Sequence, residues 1–86
     1  VEFLDEPSMM MGIYRLPAGS VDGQNPHDLD EVYYVLEGKG QFTVSGETKP
    51  VEAGGVLFVR AKAEHRFHDI EEDLVLLVFF SKGKTA

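Results

Sequence analysis

Apolar and β-prone residues recur in short runs along the chain, and Gly, Pro or acidic residues separate one run from the next. No window of eleven or more residues has the 3.6-residue apolar period of an amphipathic helix. Short runs with turn residues between them are typical of strands. The pattern predicts seven strands, at residues 9–16, 31–36, 41–44, 48–52, 56–59, 65–70 and 74–80. The sequence therefore predicts an all-β fold, either a sandwich or a barrel.

Turn residues and strand composition predict how these strands are arranged. Gly38-Lys39-Gly40 predicts a tight turn between the second and third strands, and Glu71-Glu72-Asp73 predicts an acidic turn between the last two. Pro50 has no N–H to donate, which predicts an edge position for the strand that contains it. Residues 74–80 are all apolar, which predicts a strand covered on both faces. One cover would be the barrel interior, and the other a second sheet or a second subunit.

The chain is short and acidic. Its 86 residues predict one domain, residues 1–86. Fifteen Asp and Glu against eight Lys and Arg leave a net charge of −7, which opposes nucleic-acid binding. The longest apolar run, residues 74–80, is far below the ~20 residues of a membrane-spanning helix, so we expect no membrane partner. A single small core gains from a second copy, so we expect a homodimer.

The absence of Cys limits the chemistry of the chain. It excludes disulfides and thiolate ligands, and it fits a reducing compartment, so we expect a cytoplasmic protein. Any metal ion would be held by His, Asp, Glu or an amide oxygen.

The three histidines are the candidates for chemistry. His27 lies four residues before Glu31, and in one continuous strand the two would be ~13 Å apart, too far to share an ion. The turn-forming segment Asp28-Leu29-Asp30 favours a chain reversal that would bring them together. His65 would then have to come from another strand. His68 is one position out of phase with His65, so we expect it to face outward.

Two spaced patterns resemble the two conserved motifs of the cupin superfamily. The first is Gly19-x5-Asn25-x-His27-x3-Glu31-x6-Gly38, and the second is Gly54-x5-Arg60-x-Lys62-x2-His65-x3-Asp69. The resemblance covers about residues 13–80. It implies a small single-domain cupin, a jelly-roll β-barrel also described as a double-stranded β-helix, which agrees with the strand count.

The resemblance also implies a metal site. The family's first motif supplies two His and one Glu as ligands, and the second motif supplies one further His. The second His of the first motif matches His27, its Glu matches Glu31, and the His of the second motif matches His65. These three imply one divalent ion, which could be Fe, Mn, Ni or Zn. Asn25 replaces the first His, and either it offers an amide oxygen or it hydrogen-bonds a bound water or substrate.

Two aromatic residues are expected beside these ligands. Tyr33 shares strand parity with Glu31 and should point inward, where it either packs or orients a ligand through its hydroxyl. Phe67 shares parity with His65 and should pack in the core. The second motif departs from the family at three positions that are not family ligands, Arg60, Lys62 and Asp69.

Three hypotheses of function remain open. The first, implied by the resemblance, is a metal-dependent enzyme of dioxygenase, isomerase or decarboxylase type acting on a small molecule. The second is a non-catalytic module that binds or senses a small ligand, which the replacement of one family His supports. The third is a structural dimer whose pocket has lost its metal, with His27 and His65 as ordinary polar residues.

Overall fold

The computed structural model describes residues 2–23 and 27–82, and within these ranges the chain forms strands and no helix. There are six strands: β1 (Glu2–Asp5), β2 (Met9–Leu16), β3 (Glu31–Val44), β4 (Glu47–Glu52), β5 (Val56–Val59) and β6 (His65–Ser81). The predicted all-β fold is confirmed.

The two long strands, β3 and β6, organise the sheet. They pair antiparallel along almost their whole length, from Glu31 opposite Phe80 to Val44 opposite His65. The strand order is β1-β2-β6-β3-β4, and β5 pairs with the first part of β3 while β4 pairs with its second part. Because β3 has different partners along its length, the sheet curls around one core as a jelly-roll barrel.

Both predicted turns inside the long strands are wrong. The segment Gly38-Lys39-Gly40 lies within β3, and Glu71-Glu72-Asp73 lies within β6. The second and third predicted strands are therefore one continuous strand, and so are the last two. The pairing of β3 with β6 shifts register three times between Val35 and Gln41. Such irregularities bend a strand without ending its pairing. Turn residues therefore mark a bend that both strands share, with Lys39 opposite Glu72.

In the described ranges one edge of the sheet is formed by β1, and the other by β4 and β5, which each pair with β3. β4 carries Pro50 and pairs, within the described ranges, with β3 alone, so the predicted edge position is confirmed. β1 was not predicted because its four residues have too little apolar pattern to stand out in the sequence.

The core lies on the inner face of β3 and β6. Val35, Phe42, Phe67 and Leu76 are fully buried. The ring of Phe67 packs on Phe42 at a centroid distance of 4.5 Å and meets Tyr33 edge-on at 5.1 Å. This aromatic cluster fills the barrel interior, as expected for Phe67.

The two faces of residues 74–80 differ in burial. The side chains of Leu74, Leu76 and Val78 are buried in the core, whereas Val75 and Leu77 on the opposite face are only partly covered. The inner cover that the sequence predicts is therefore present within one chain.

The described residues contain no helix long and apolar enough to cross a membrane.

Gly38 allows β3 and β6 to approach closely at the bend. Its φ is +99°, and a Cβ there would lie 2.2 Å from the carbonyl oxygen of Asp73. Gly46 also has a positive φ, +83°, but a Cβ there meets nothing within 4 Å. We expect Gly46→Ala to lower the free energy of unfolding by about 1 kcal/mol, through backbone strain alone. Gly38→Ala should lower the free energy of unfolding by at least about 2 kcal/mol more than Gly46→Ala does, because its Cβ would also clash with the backbone at Asp73.

Urea denaturation of both variants measures the difference. Equal losses for Gly38→Ala and Gly46→Ala would show that the close approach of the two strands does not constrain the fold.

Candidate metal centre

Three potential ligands from two distant parts of the sequence meet inside one end of the barrel. Glu31 opens β3, His65 opens β6, and His27 lies in the loop that precedes β3. Glu31 Oε1 lies 2.8 Å from His65 Nε2 and 3.4 Å from His27 Nδ1. One donor atom from each residue falls within 4.8 Å of the others. The chain reversal that the spacing of His27 and Glu31 requires is therefore present.

Two hydrogen bonds hold the loop of His27 against the loop that precedes His65. The Lys62 N–H donates to the carbonyl oxygen of His27, and the Ala61 N–H donates to Asp30 Oδ1 at 2.8 Å. Asp30 thus links the two loops, in addition to lying in the chain reversal between His27 and Glu31 where the sequence predicts it. Lys62 has a φ of +67°, in the left-handed region that favours glycine.

The carboxylate of Glu31 is buried and only half satisfied. Its side chain is 1% exposed, and that of His65 is fully buried, whereas that of His27 is 38% exposed. Glu31 Oε2 has no hydrogen-bond partner within the described residues. A buried carboxylate oxygen without a partner costs on the order of 1–3 kcal/mol or more. A cation or a hydrogen-bond donor beside Glu31 Oε2 would therefore stabilise the site.

His65 is oriented by its second ring nitrogen. Its Nδ1–H donates to the carbonyl oxygen of Ala63 at 2.9 Å, so loss of the second proton leaves the lone pair of the neutral ring on Nε2. In the protonated ring, Nε2–H donates to Glu31. This hydrogen bond raises the pKa of His65 above its usual 6.5, burial opposes the rise, and the Ala63 carbonyl and the charges of Glu31 and Asp22 add to it.

A cavity of about 200 Å³ has one of the three candidate ligands, His27, in its wall. Apolar side chains form most of its wall, and His27 and Tyr33 connect it to the site. Tyr33 is buried, as expected from its parity, and its hydroxyl lies 3.4 Å from His65 Nε2. The arrangement suits a small molecule with polar atoms at the site and an apolar part against the wall. The wall residues are Glu2, Met10, Met11, Gly12, Ile13, Tyr14, Val78 and Phe80.

A second buried carboxylate, Asp22, was not predicted from the sequence. Its Oδ1 accepts a hydrogen bond from the Tyr14 hydroxyl at 2.8 Å, and its Oδ2 accepts one from the Phe67 N–H at 2.9 Å. Burial, together with the hydrogen bond and charge of Asp22, raises the pKa of Tyr14 well above its usual 10. An Asp in a Gly-containing loop looks solvated in the sequence, and only the folded loop shows that it faces inward.

The remaining predicted residues lie outside this group. His68 is partly buried and pairs with Thr43 Oγ1 and Asp69 Oδ2, both at 2.7 Å, and Asp69 itself is exposed. Asn25, the possible further ligand, lies outside the described residues. Arg60 is exposed beside the loops described above.

Comparisons with known proteins agree with the fold and the motifs. An uncharacterised protein of Streptomyces coelicolor is 48% identical over 81 residues, which cover 94% of this chain and 77% of that protein. An oxalate-binding protein of Thermotoga maritima is 32% identical over 65 residues, and the match covers 74% of this chain but only about half, 54%, of that protein. The solved structure of KdgF from Halomonas sp. superposes with a TM-score of 0.86 at 20% identity, and it covers 98% of this chain and 77% of that one.

The family profile described as "Cupin domain" matches residues 12–80, which include both motifs and all three converging side chains. The chain belongs to the cupin family.

Proposed function

We propose that this chain binds one divalent metal ion between His27, Glu31 and His65, and that it is a metal-dependent enzyme acting on a small chelating molecule. The observation that carries the proposal is the buried Glu31 Oε2, which has no hydrogen-bond partner in the described residues and lies beside two imidazoles. A divalent cation would satisfy this oxygen and offset the cost of its burial.

The donor set fits such an ion. Two imidazoles and a carboxylate suit Fe, Mn, Ni or Zn, and three protein ligands leave other coordination positions for a substrate. When bound, the ion would act as a Lewis acid toward a substrate oxygen. The hydrogen bond from His65 Nδ1–H to the Ala63 carbonyl leaves His65 Nε2 free to bind the ion. The carboxylate of Glu31 would offset one unit of the charge of the ion.

The cavity favours a small substrate with oxygen donors and little further polarity. Within the described wall no Lys or Arg is present, so an anionic substrate would depend on the metal for charge compensation. The Tyr33 hydroxyl, 3.4 Å from His65 Nε2, is placed to donate a hydrogen bond to a ligand atom at the site. Apolar residues such as Met10 and Phe80 would exclude water from the rest of the ligand.

A non-catalytic binding module is the second candidate function. The replacement of one family His by Asn25 supports this candidate, because it removes one of the expected ligands. The relative named an oxalate-binding protein gives further support, because oxalate is a small chelating dicarboxylate, although the chain spans only about half of that protein.

Metal content tests the ligand assignment. We expect the wild-type chain to hold about one metal ion, and His65→Ala and Glu31→Gln to lower the metal affinity at least about tenfold. His68→Ala is the matched control, since it removes an imidazole outside the group and should retain metal. Elemental analysis after purification with Fe(II), Mn(II), Ni(II) and Zn(II) measures the content, and circular dichroism confirms the fold.

An anomalous scattering peak between the three side chains would locate the ion directly. Equal metal content in His65→Ala and His68→Ala would contradict the assignment.

The pH dependence of metal affinity follows from the raised pKa of His65. In the metal-free fold the protonated ring contributes stability that is present below pH 6.5 and is lost as pH rises through the folded pKa. A metal ion requires the neutral ring, so metal affinity has the opposite dependence and should fall as pH drops, with the fall beginning above 6.5. Titration calorimetry with Zn(II) from about pH 8 to about pH 5.5 measures this. Constant affinity over that range would contradict ligation by His65.

Turnover separates the two candidate functions. We expect the metal-loaded wild-type chain to convert at least one small chelating acid in a panel that includes oxalate, followed by oxygen uptake and product analysis. His65→Ala should be inactive and His68→Ala active. Metal-dependent binding without conversion of any panel member would instead support the binding module.

A further inference from the structure

A chain of hydrogen bonds outside the metal centre links a carboxylate, an imidazole and two hydroxyls. His68 Nδ1 lies 2.7 Å from Asp69 Oδ2, and His68 Nε2 lies 2.7 Å from Thr43 Oγ1. Thr43 Oγ1 in turn lies 2.6 Å from Thr48 Oγ1. Three neighbouring strands supply these groups, since Thr43 lies in β3, Thr48 in β4 and the other two residues in β6. None of the four is a candidate ligand of the metal centre.

The hydrogen bonds of this chain all run in one direction. An ionised carboxylate only accepts, so His68 Nδ1–H donates to Asp69 and the lone pair of the neutral ring lies on Nε2. Nε2 therefore accepts the hydrogen bond of the Thr43 hydroxyl. Because the Thr43 proton is used in this way, the Thr43 oxygen accepts from the Thr48 hydroxyl. A hydroxyl, an imidazole base and a carboxylate in this order are the parts of a triad for nucleophilic catalysis.

An irregularity in β6 brings Asp69 to the side of the sheet that carries His68. Consecutive residues of a regular strand point to opposite faces, so their side chains do not meet. Asp69 has a φ of +46°, and the register of β3 with β6 shifts between the pairs Lys39–Glu72 and Gln41–His68. Such an irregularity re-aims a side chain, and it is common beside active sites.

The contact between Asp69 and His68 is not explained by stability. The side chain of Asp69 is 79% exposed, and an interaction with so exposed a carboxylate contributes little to folding. The left-handed φ of Asp69 also carries a conformational cost, which is typical of residues held in place at functional sites. The geometry therefore points to a chemical role for the pair.

A substrate has access to the Thr43 hydroxyl and its base. Thr43 and His68 are both partly exposed, and a surface cavity of about 370 Å³ has Arg66, His68 and Asp69 in its wall. Arg66 is the register partner of Thr43, and paired residues point to the same face of a sheet. Its exposed guanidinium is therefore available to offset the negative charge that develops on an attacked carbonyl oxygen.

We propose that Thr43, His68 and Asp69 form an acyl-transfer site that hydrolyses small carboxylic esters. Thr43 Oγ1 attacks the carbonyl carbon of the ester, and its proton passes to His68 Nε2. The bond between that carbon and the leaving alcohol breaks, and His68 returns the proton to the alcohol. Water then attacks the acyl group with His68 Nε2 as base, and the bond to Thr43 breaks, which releases the acid and restores the hydroxyl. Asp69 is a positioning residue that keeps the other ring proton on Nδ1.

Hydrolysis of p-nitrophenyl acetate by the full chain tests the site, with and without a metal chelator. We expect release of p-nitrophenol above the uncatalysed rate, equal in both conditions, and an acetyl group on Thr43 that peptide mass spectrometry detects after an acid quench. Thr43→Val and His68→Ala should each lower the rate at least about a hundredfold. Thr43→Ser should again become acetylated, because it keeps the hydroxyl. Asp69→Asn should lower kcat at least about tenfold and leave KM nearly unchanged, because an amide does not fix the ring tautomer.

Two results would overturn the proposal. If Thr43 is not acetylated, or if Thr43→Val is as fast as the wild type, an imidazole alone accounts for the hydrolysis. If the chelator abolishes the activity, the reaction belongs to the metal centre. Circular dichroism checks the fold of each variant. Since the two sites share no residue, His68→Ala should lose the esterase activity and keep its metal content, so that the two proposals fail or succeed separately.

Discussion

The buried carboxylate of Glu31 is the feature on which the rest of the site depends. Its position at the start of β3 removes it from water, and one of its oxygens is engaged by the two imidazoles while the other has no hydrogen-bond partner in the described chain. A fold does not retain such a group for stability, because replacement by an apolar side chain would avoid the desolvation cost. In the proposed function a cation at the site would satisfy this group, and the loops of His27 and His65 hold the two imidazoles beside it.

The pairing of β3 with β6 determines which side chains of the sheet face the core and which face outward. Along β3, Glu31, Tyr33 and Val35 face the interior, whereas Val32, Tyr34 and Leu36 face outward. The alternation of a strand thus places Glu31 and the aromatic core on one face, and partly or fully exposed apolar side chains on the other.

Several features of the site were accessible from the sequence because they depend on local pattern. Alternation of polar and apolar residues predicted that Tyr33 and Phe67 face inward, and the absence of an N–H on Pro50 predicted an edge strand. The spacing of His27 and Glu31, with the turn-forming residues between them, required a reversal to bring them together. The motifs resembling cupins then identified His65 as the third member of the group, which no local pattern could have paired with them.

Other features were decided only by the tertiary structure, because they depend on contacts between residues far apart in the chain. Turn residues at 38–40 and 71–73 looked like ends of strands, but the two segments pair with each other across a shared bend, and long-range pairing outweighs local turn preference. Asp30 was expected only in a turn and Asp22 was not singled out, yet Asp30 accepts a hydrogen bond from the N–H of Ala61 and Asp22 one from that of Phe67. The sequence by itself determined which residues alternate between core and surface. The fold decided which polar groups meet in the interior, because desolvation and hydrogen bonding depend on neighbours that only chain folding brings together.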